Sequence, residues 1–305
     1  MIPWISHGLS ILLLCITATV SLLFSGESLM HGLLYILILL ISERLTGITA
    51  YGCRADSRGW FTGVFLALSP VLMTSGHESV ERVSGVLFSL FALYAAVEWW
   101  EGGSEKWILL LLLAGLYAIM NDVRLAGLLL PVTVQLFVKT ASRGNSYRSF
   151  AVVGSLFLLA WVASVYQFQR MSWDIANLAG AGEVTGNTGE VPGLLYIFYP
   201  LAHPWFCVLL PGLFLLYRKT DVVNPARRML LAGAVCYLLL LGGLPGRELF
   251  SLVPAYVILL IAVFPSWDRM YCYGLYFFRK TVWLTIGILT LIQIMMVVYK
   301  TVTHT

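Results

Sequence analysis

Residues 31–42 read "HGLLYILILLIS", and residues 283–299 read "WLTIGILTLIQIMMVVY". Neither run can be left against water. A helix needs about 20 mostly apolar residues to cross a hydrocarbon core of roughly 30 Å. Both runs extend toward that length with their flanks. The rest of the chain repeats the pattern. Of 305 residues, 59% are hydrophobic and 11% charged, with a mean hydropathy of +0.86. An average soluble domain carries roughly 25% charged residues.

Eleven spans are expected, near 4–24, 30–52, 59–75, 83–100, 107–120, 125–138, 149–168, 193–217, 229–244, 249–264 and 281–299. Only helices and closed barrels satisfy a backbone in lipid, and no period-two alternation is visible. The expected fold class is therefore all-α, a polytopic transmembrane helix bundle forming one domain over 1–305. The segment 4–24 lacks a basic leader and a cleavage site, so it is expected to be the first span rather than a removed signal. The five cysteines, at 15, 53, 207, 236 and 272, are scattered without metal-ligand spacing and read as small buried hydrophobes.

Sidedness follows from the cations. Arg82, Arg124, Arg170, Arg247 and Lys300 fall on one side and Arg44 within the second span, leaving thirteen of the nineteen Lys and Arg on the N-terminal side. By the positive-inside rule the N-terminus is cytoplasmic and the C-terminus outside. The expected location is the cell (inner) membrane. The net charge of +4 is accounted for by anionic lipid, and no nucleic-acid motif accompanies it.

Charge at the outer turns is the unusual feature. "TSGHESVER" (74–82) joins the third and fourth spans, "NDVR" (121–124) the fifth and sixth, and "GLPGRE" (243–248) the ninth and tenth. The two spans flanking "NDVR" have about fourteen apolar residues each, or ~21 Å of helix. That places Asn121, Asp122 and Arg124 below the outer headgroups, where an ion costs a few kcal/mol unless it is paired or lines a wet cavity. Each turn could be held by its own pairs, Glu78 with Arg82, Asp122 with Arg124, Arg247 with Glu248. Three such turns together point to one shared polar cavity. Glu43 and Arg44 read as structural or snorkelling residues at the inner boundary. Glu98 with Trp99 and Trp100 reads as an inner interfacial belt. The segment 266–280, which includes "MYCYGLYFFRK" (270–280), reads as an amphipathic stretch on the inner face. The long outer loop 169–192 is rich in Gly, Asn and Thr and carries Asp174, Glu183 and Glu190. It reads as a flap or a connector.

Four stretches, taken in order, resemble the polyprenol-phosphate-dependent glycosyltransferases of the GT-C class, in the protein mannosyltransferase and aminoarabinose transferase branch. They are "AYGCRADSRGWFTGVFLALSPVLMTSG" (50–76), the run 79–139 with its polar break before "LLLP", "PGLLYIFYPLAHPWFCVLLPGLFLLYRK" (192–219) and "GRELFSLVPAYVILLIAV" (246–263). The resemblance implies a GT-C-like fold and transfer of a sugar from a polyprenyl phosphate to an acceptor hydroxyl on the outer face, with inversion. An acid must take the hydroxyl proton. An arginine must meet the departing phosphate.

Residue by residue, the likeness implies Glu81 as an acid at the start of the fourth span, Arg247 as a ligand of the lipid phosphate, and Arg124 as the cation of the polar break. Glu78, Arg82 and Asp122 join them by position, as do His77 and Glu248. The family's long first outer loop is here only "SGESLMHG" (25–32), with one acid, Glu27, to take the place of the catalytic Asp. The family's soluble C-terminal domain is likewise not expected. These departures leave an alternative, a non-catalytic GT-C-like membrane subunit or scaffold with protein partners. A transporter or flippase is disfavoured because no inverted repeat is visible. Membrane lipid and the polyprenyl-phosphate sugar are the expected partners. No cofactor is expected, and His77, Glu78 and Glu81 on one turn do not single out a metal.

Overall fold

A computed structural model describes residues 29–49, 62, 66, 79–102, 104–122, 124–142, 154, 225–243, 249–273, 280, 284, 287, 288, 291 and 295. These are helical apart from Ser79, Ser104, Asp122 and Arg124 at helix ends, with no strand among them. The helices are α1 (Leu29–Thr49), α2 (Val80–Gly102), α3 (Glu105–Asn121), α4 (Leu125–Ser142), α5 (Pro225–Gly243) and α6 (Val253–Tyr273), the last preceded by a 3₁₀ turn at Leu249–Leu252. Six expected spans thus appear as helices. The spans at 4–24 and 193–217 and the loop 169–192 lie outside the described residues, and those at 59–75, 149–168 and 281–299 are described only at single positions.

Boundaries shift for local reasons. α2 starts at Val80 rather than 83 because Ser79 caps it, its Oγ accepting the Arg82 N–H at 3.4 Å. α5 starts a turn early because Pro225, lacking an N–H, suits the first helical position, and Arg227 and Arg228 of that turn are not apolar. The expected span 249–264 becomes a 3₁₀ turn and then a helix. Pro254 belongs in a first turn, so the α-helix begins at Val253. That helix runs on to Tyr273, through the first half of the segment expected to lie on the inner face.

α2 packs along α3 and against α1 and α4; α4 packs on α5, α5 on α6, and α6 on α1. The five helices α1, α2, α4, α5 and α6 close a ring of contacts, with α3 flanking α2. Every residue of α6 from Val253 to Val263 is buried. A helix apolar all round belongs in such a position. α4 and α5 approach closely at Gly233, whose ideal Cβ would lie 2.8 Å from the Leu128 carbonyl oxygen.

α1 and α2 are long and apolar enough to cross a membrane. The polarity of α1 is the reverse of a water-soluble helix. On α1, Met30, Leu33, Leu37 and Leu40 are exposed, while Ser42, Thr46 and Thr49 are fully buried. α3 likewise exposes Leu109, Leu113 and Met120. Outward leucine is at home in lipid, and hydroxyls turned inward act as interhelical or intrahelical donors. Each is satisfied: Ser42 Oγ donates to the Ile38 carbonyl at 2.6 Å, Thr49 Oγ1 to that of Leu45 at 2.9 Å, and Thr46 Oγ1 to Ser42 at 2.8 Å while lying 3.0 Å from Thr62 Oγ1.

The antiparallel order sorts the charges. Glu81, Arg82, Asp122 and Arg124 fall at one end of the bundle and Lys106, Lys139, Arg227 and Arg228 at the other. At that second end Lys139 Nζ donates to the Trp100 carbonyl at 2.5 Å and sits 3.7 Å from the Trp100 ring centroid. Arg227 Nη2 reaches the Thr49 carbonyl at 3.4 Å. Tyr94 faces both Glu98 and Arg44, joining α2 to the last turns of α1.

Candidate functional site

The site is built on the turn between α3 and α4. Asp122 leaves the helix with an extended backbone, and its N–H donates to the Ala118 carbonyl at 2.9 Å. Its carboxylate then turns onto the chain: Oδ1 accepts the backbone N–H of Arg124 at 3.0 Å. The Asp122 carbonyl accepts the Leu125 N–H at 3.0 Å. A short acid bonding a backbone N–H two residues on is an Asx turn, and it lets two antiparallel helices reverse in the fewest residues. Asp122 therefore positions the turn. The pairing of its carboxylate with the Arg124 guanidinium, open from the sequence, is not made.

That leaves the guanidinium of Arg124, a residue only 9% exposed. Nη1 donates to Ser251 Oγ at 2.6 Å, a neutral acceptor, and Nε is buried with no hydrogen-bond partner. No carboxylate among the described residues pairs with it. Leaving a buried charge uncompensated costs roughly 3–5 kcal/mol. The cheapest relief is an anion with oxygens for the remaining donors, because guanidinium geometry matches carboxylate and phosphate.

Ser251 is itself held. Its backbone carbonyl accepts the hydroxyl of Tyr237, from α5, at 2.8 Å, and both residues are buried. Arg124 is thus aimed from the start of α4 into the junction of α5 with the 3₁₀ turn. Neither Ser251 nor Tyr237 was flagged by the sequence. The serine lies inside "GRELFSLVP", where the charge signal comes from the arginine and the acid, and a lone Tyr in an apolar run carries no signal.

The 79–82 turn adjoins the 121–125 turn through Gly85, whose ideal Cβ would lie 3.2 Å from Asn121 Cβ and 3.5 Å from Leu125 Cδ1. One turn earlier, Glu81 is exposed in the first turn of α2, where a carboxylate is favoured by the helix dipole. Arg82 is half-buried. Ser84 Oγ donates to the Glu81 carbonyl at 2.7 Å and lies 3.3 Å from the Tyr117 hydroxyl on α3. Of the residues expected at the site, Glu81, Arg82, Asp122 and Arg124 thus lie at one end of the bundle, on two adjoining turns. Glu27, Glu78 and Arg247 lie outside the described residues, as do His77 and Glu248. Among the described residues no group of three or more His, Cys, Asp or Glu is arranged to hold a metal ion.

Compared with known proteins, the chain matches no family model, no curated protein and no solved structure.

Proposed function

We propose that this chain is a multi-pass membrane glycosyltransferase of GT-C type, moving a sugar from a polyprenyl phosphate to an acceptor hydroxyl at the end of the bundle that carries Glu81 and Arg124. That end is the outer one, and the end with Lys139, Arg227 and Arg228 faces the cytoplasm, as the positive-inside rule requires. The reading is carried by one observation: Arg124, nine-tenths buried, presents a guanidinium whose partner among the described residues is a neutral serine. In the reaction the acceptor oxygen attacks the anomeric carbon, the bond from that carbon to the phosphate oxygen breaks, and the acceptor proton passes to a carboxylate. Glu81 or Glu27 takes that proton. The phosphate leaves with its growing charge toward Arg124, with Arg82 and Arg247 as further cations.

The test is turnover in proteoliposomes. Wild-type protein is given a panel of hexosyl and pentosyl polyprenyl phosphates, and release of free polyprenyl phosphate is followed. Transfer lost in Glu81→Gln or Glu27→Gln, with both variants folded, supports the reading. Full activity in both removes the proposed base. No turnover of any donor, together with a stoichiometric protein partner on purification, favours the alternative of a non-catalytic subunit.

A further inference from the structure

We infer that Ser251 and Tyr237 are the positioning residues of a phosphate site at Arg124, holding the guanidinium through a neutral hydroxyl so that its charge stays available to a phosphate-class anion. The inference rests on reading the Arg124 end as a phosphate-receiving site, and adds to it residues from two other elements.

Arg124, Ser251 and Tyr237 come from the turn before α4, the 3₁₀ turn and α5, and two bonds chain them together. Tyr237 donates its hydroxyl to the Ser251 carbonyl at 2.8 Å, which fixes the turn against the end of α5. Ser251 Oγ then takes one N–H of Arg124 at 2.6 Å. A guanidinium is a planar fork, so one bond at Nη1 sets the plane and the direction of the remaining donors. Nε, buried and without a partner, is one of the donors left over.

The chemistry of the anchor matters as much as its position. An aspartate in place of Ser251 would bond Arg124 more strongly but would neutralise it, closing the site to an external anion. A serine orients without neutralising. Among the described residues the carboxylate nearest in sequence, Asp122, accepts the Arg124 backbone N–H. The anion these donors fit is a phosphate monoester or diester. It can arrive as a lipid headgroup or as free phosphate, and the membrane-length helices beside the site favour the lipid.

The experiment uses the full chain in nanodiscs, with binding read by calorimetry and thermal shift against farnesyl phosphate, farnesol and inorganic phosphate. Wild-type protein is expected to bind farnesyl phosphate well above farnesol. Ser251→Asp is expected to weaken farnesyl phosphate binding by tenfold or more without lowering the melting temperature of the unliganded protein. Ser251→Thr is expected to bind within about threefold of wild type. Tyr237→Phe, which releases the turn but keeps the ring, is expected to weaken binding by a smaller factor, and serves if Ser251→Asp does not fold. Equal binding by wild type, Ser251→Asp and Tyr237→Phe overturns the positioning role while leaving the phosphate reading intact. Inorganic phosphate bound as tightly as farnesyl phosphate, and lost in Ser251→Asp, upholds the positioning role and removes the lipid donor. No stabilisation of wild type by either phosphate overturns both.

Discussion

Replacing Gly233 by alanine tests the packing that holds the Arg124 end together. The new Cβ would meet the Leu128 carbonyl oxygen at 2.8 Å, with Leu128 Cδ1 at 3.5 Å and Val132 Cγ2 at 3.7 Å. A carbon and a carbonyl oxygen rest at about 3.3–3.6 Å. The obstacle is backbone, which cannot rotate away, so α4 and α5 must part by roughly half an ångström or more. A gap of that size forfeits about a quarter or more of the dispersion well of each contact across the interface. Overpacking of this kind costs roughly 1–3 kcal/mol.

Alanine also returns about 1 kcal/mol of helix propensity, which would blur a comparison with wild type. Gly115→Ala provides the proper reference. It is also a helix-interior glycine, but its Cβ would meet only Leu129 Cδ1 at 3.5 Å and Ala92 Cβ at 4.0 Å, ordinary contacts. The two variants gain the same propensity, so their difference isolates the clash. Reversible unfolding in lipid bicelles is expected to place Gly233→Ala about 1–3 kcal/mol below Gly115→Ala, roughly five- to 150-fold in the folding equilibrium. Equal stability, within about 0.5 kcal/mol, would refute the close approach of α4 to α5.

Four other variants have outcomes set by other contacts in the bundle. Arg124→Met is expected to raise the stability of the unliganded protein by roughly 1–4 kcal/mol, since it removes a buried charge that no carboxylate among the described residues pairs. It should also abolish the melting-temperature shift with farnesyl phosphate; a less stable apo variant would refute the unpaired state of the guanidinium. Lys139→Ala, which loses both the bond to the Trp100 carbonyl and the ring contact, is expected to cost about 1–2 kcal/mol in a thermal melt. Lys106→Ala, whose ammonium lies 5.2 Å from the Trp107 ring and is exposed, should cost no more than about 0.5 kcal/mol by the same measure. Thr46→Val removes the hydroxyl that lies 3.0 Å from Thr62 and should cost about 0.6–1.7 kcal/mol in bicelle unfolding, the range for interhelical hydrogen bonds in lipid.

Much of the local architecture is legible in the sequence. α3 was expected over 107–120 and runs Glu105–Asn121; α4 was expected over 125–138 and runs Leu125–Ser142. The polar break at 121–124 is the turn between them. The misjudged edges were those at which a helix begins or ends on polar residues, as at Pro225–Arg228, because a hydrophobic run measures the apolar part of a helix and not its caps. Arg124 and Asp122 stood out as charges in a greasy context. Their unequal roles did not, since which of the two bonds the backbone depends on the turn's dihedrals.

What the sequence determined by itself was the unit: long apolar runs with no period-two alternation form helices, six of them among the described residues and two of those long and apolar enough to cross a membrane. Which face of each helix turns inward was decided by tertiary packing. Both lipid and protein interior accept leucine, so these helices carry little apolar–polar contrast to orient them, and Leu37 is exposed while Ile38 beside it is fully buried. The same holds for Arg124 and Ser251, 127 residues apart. A serine in an apolar run is chemically silent until the packing of two turns brings a buried cation within 2.6 Å of its oxygen.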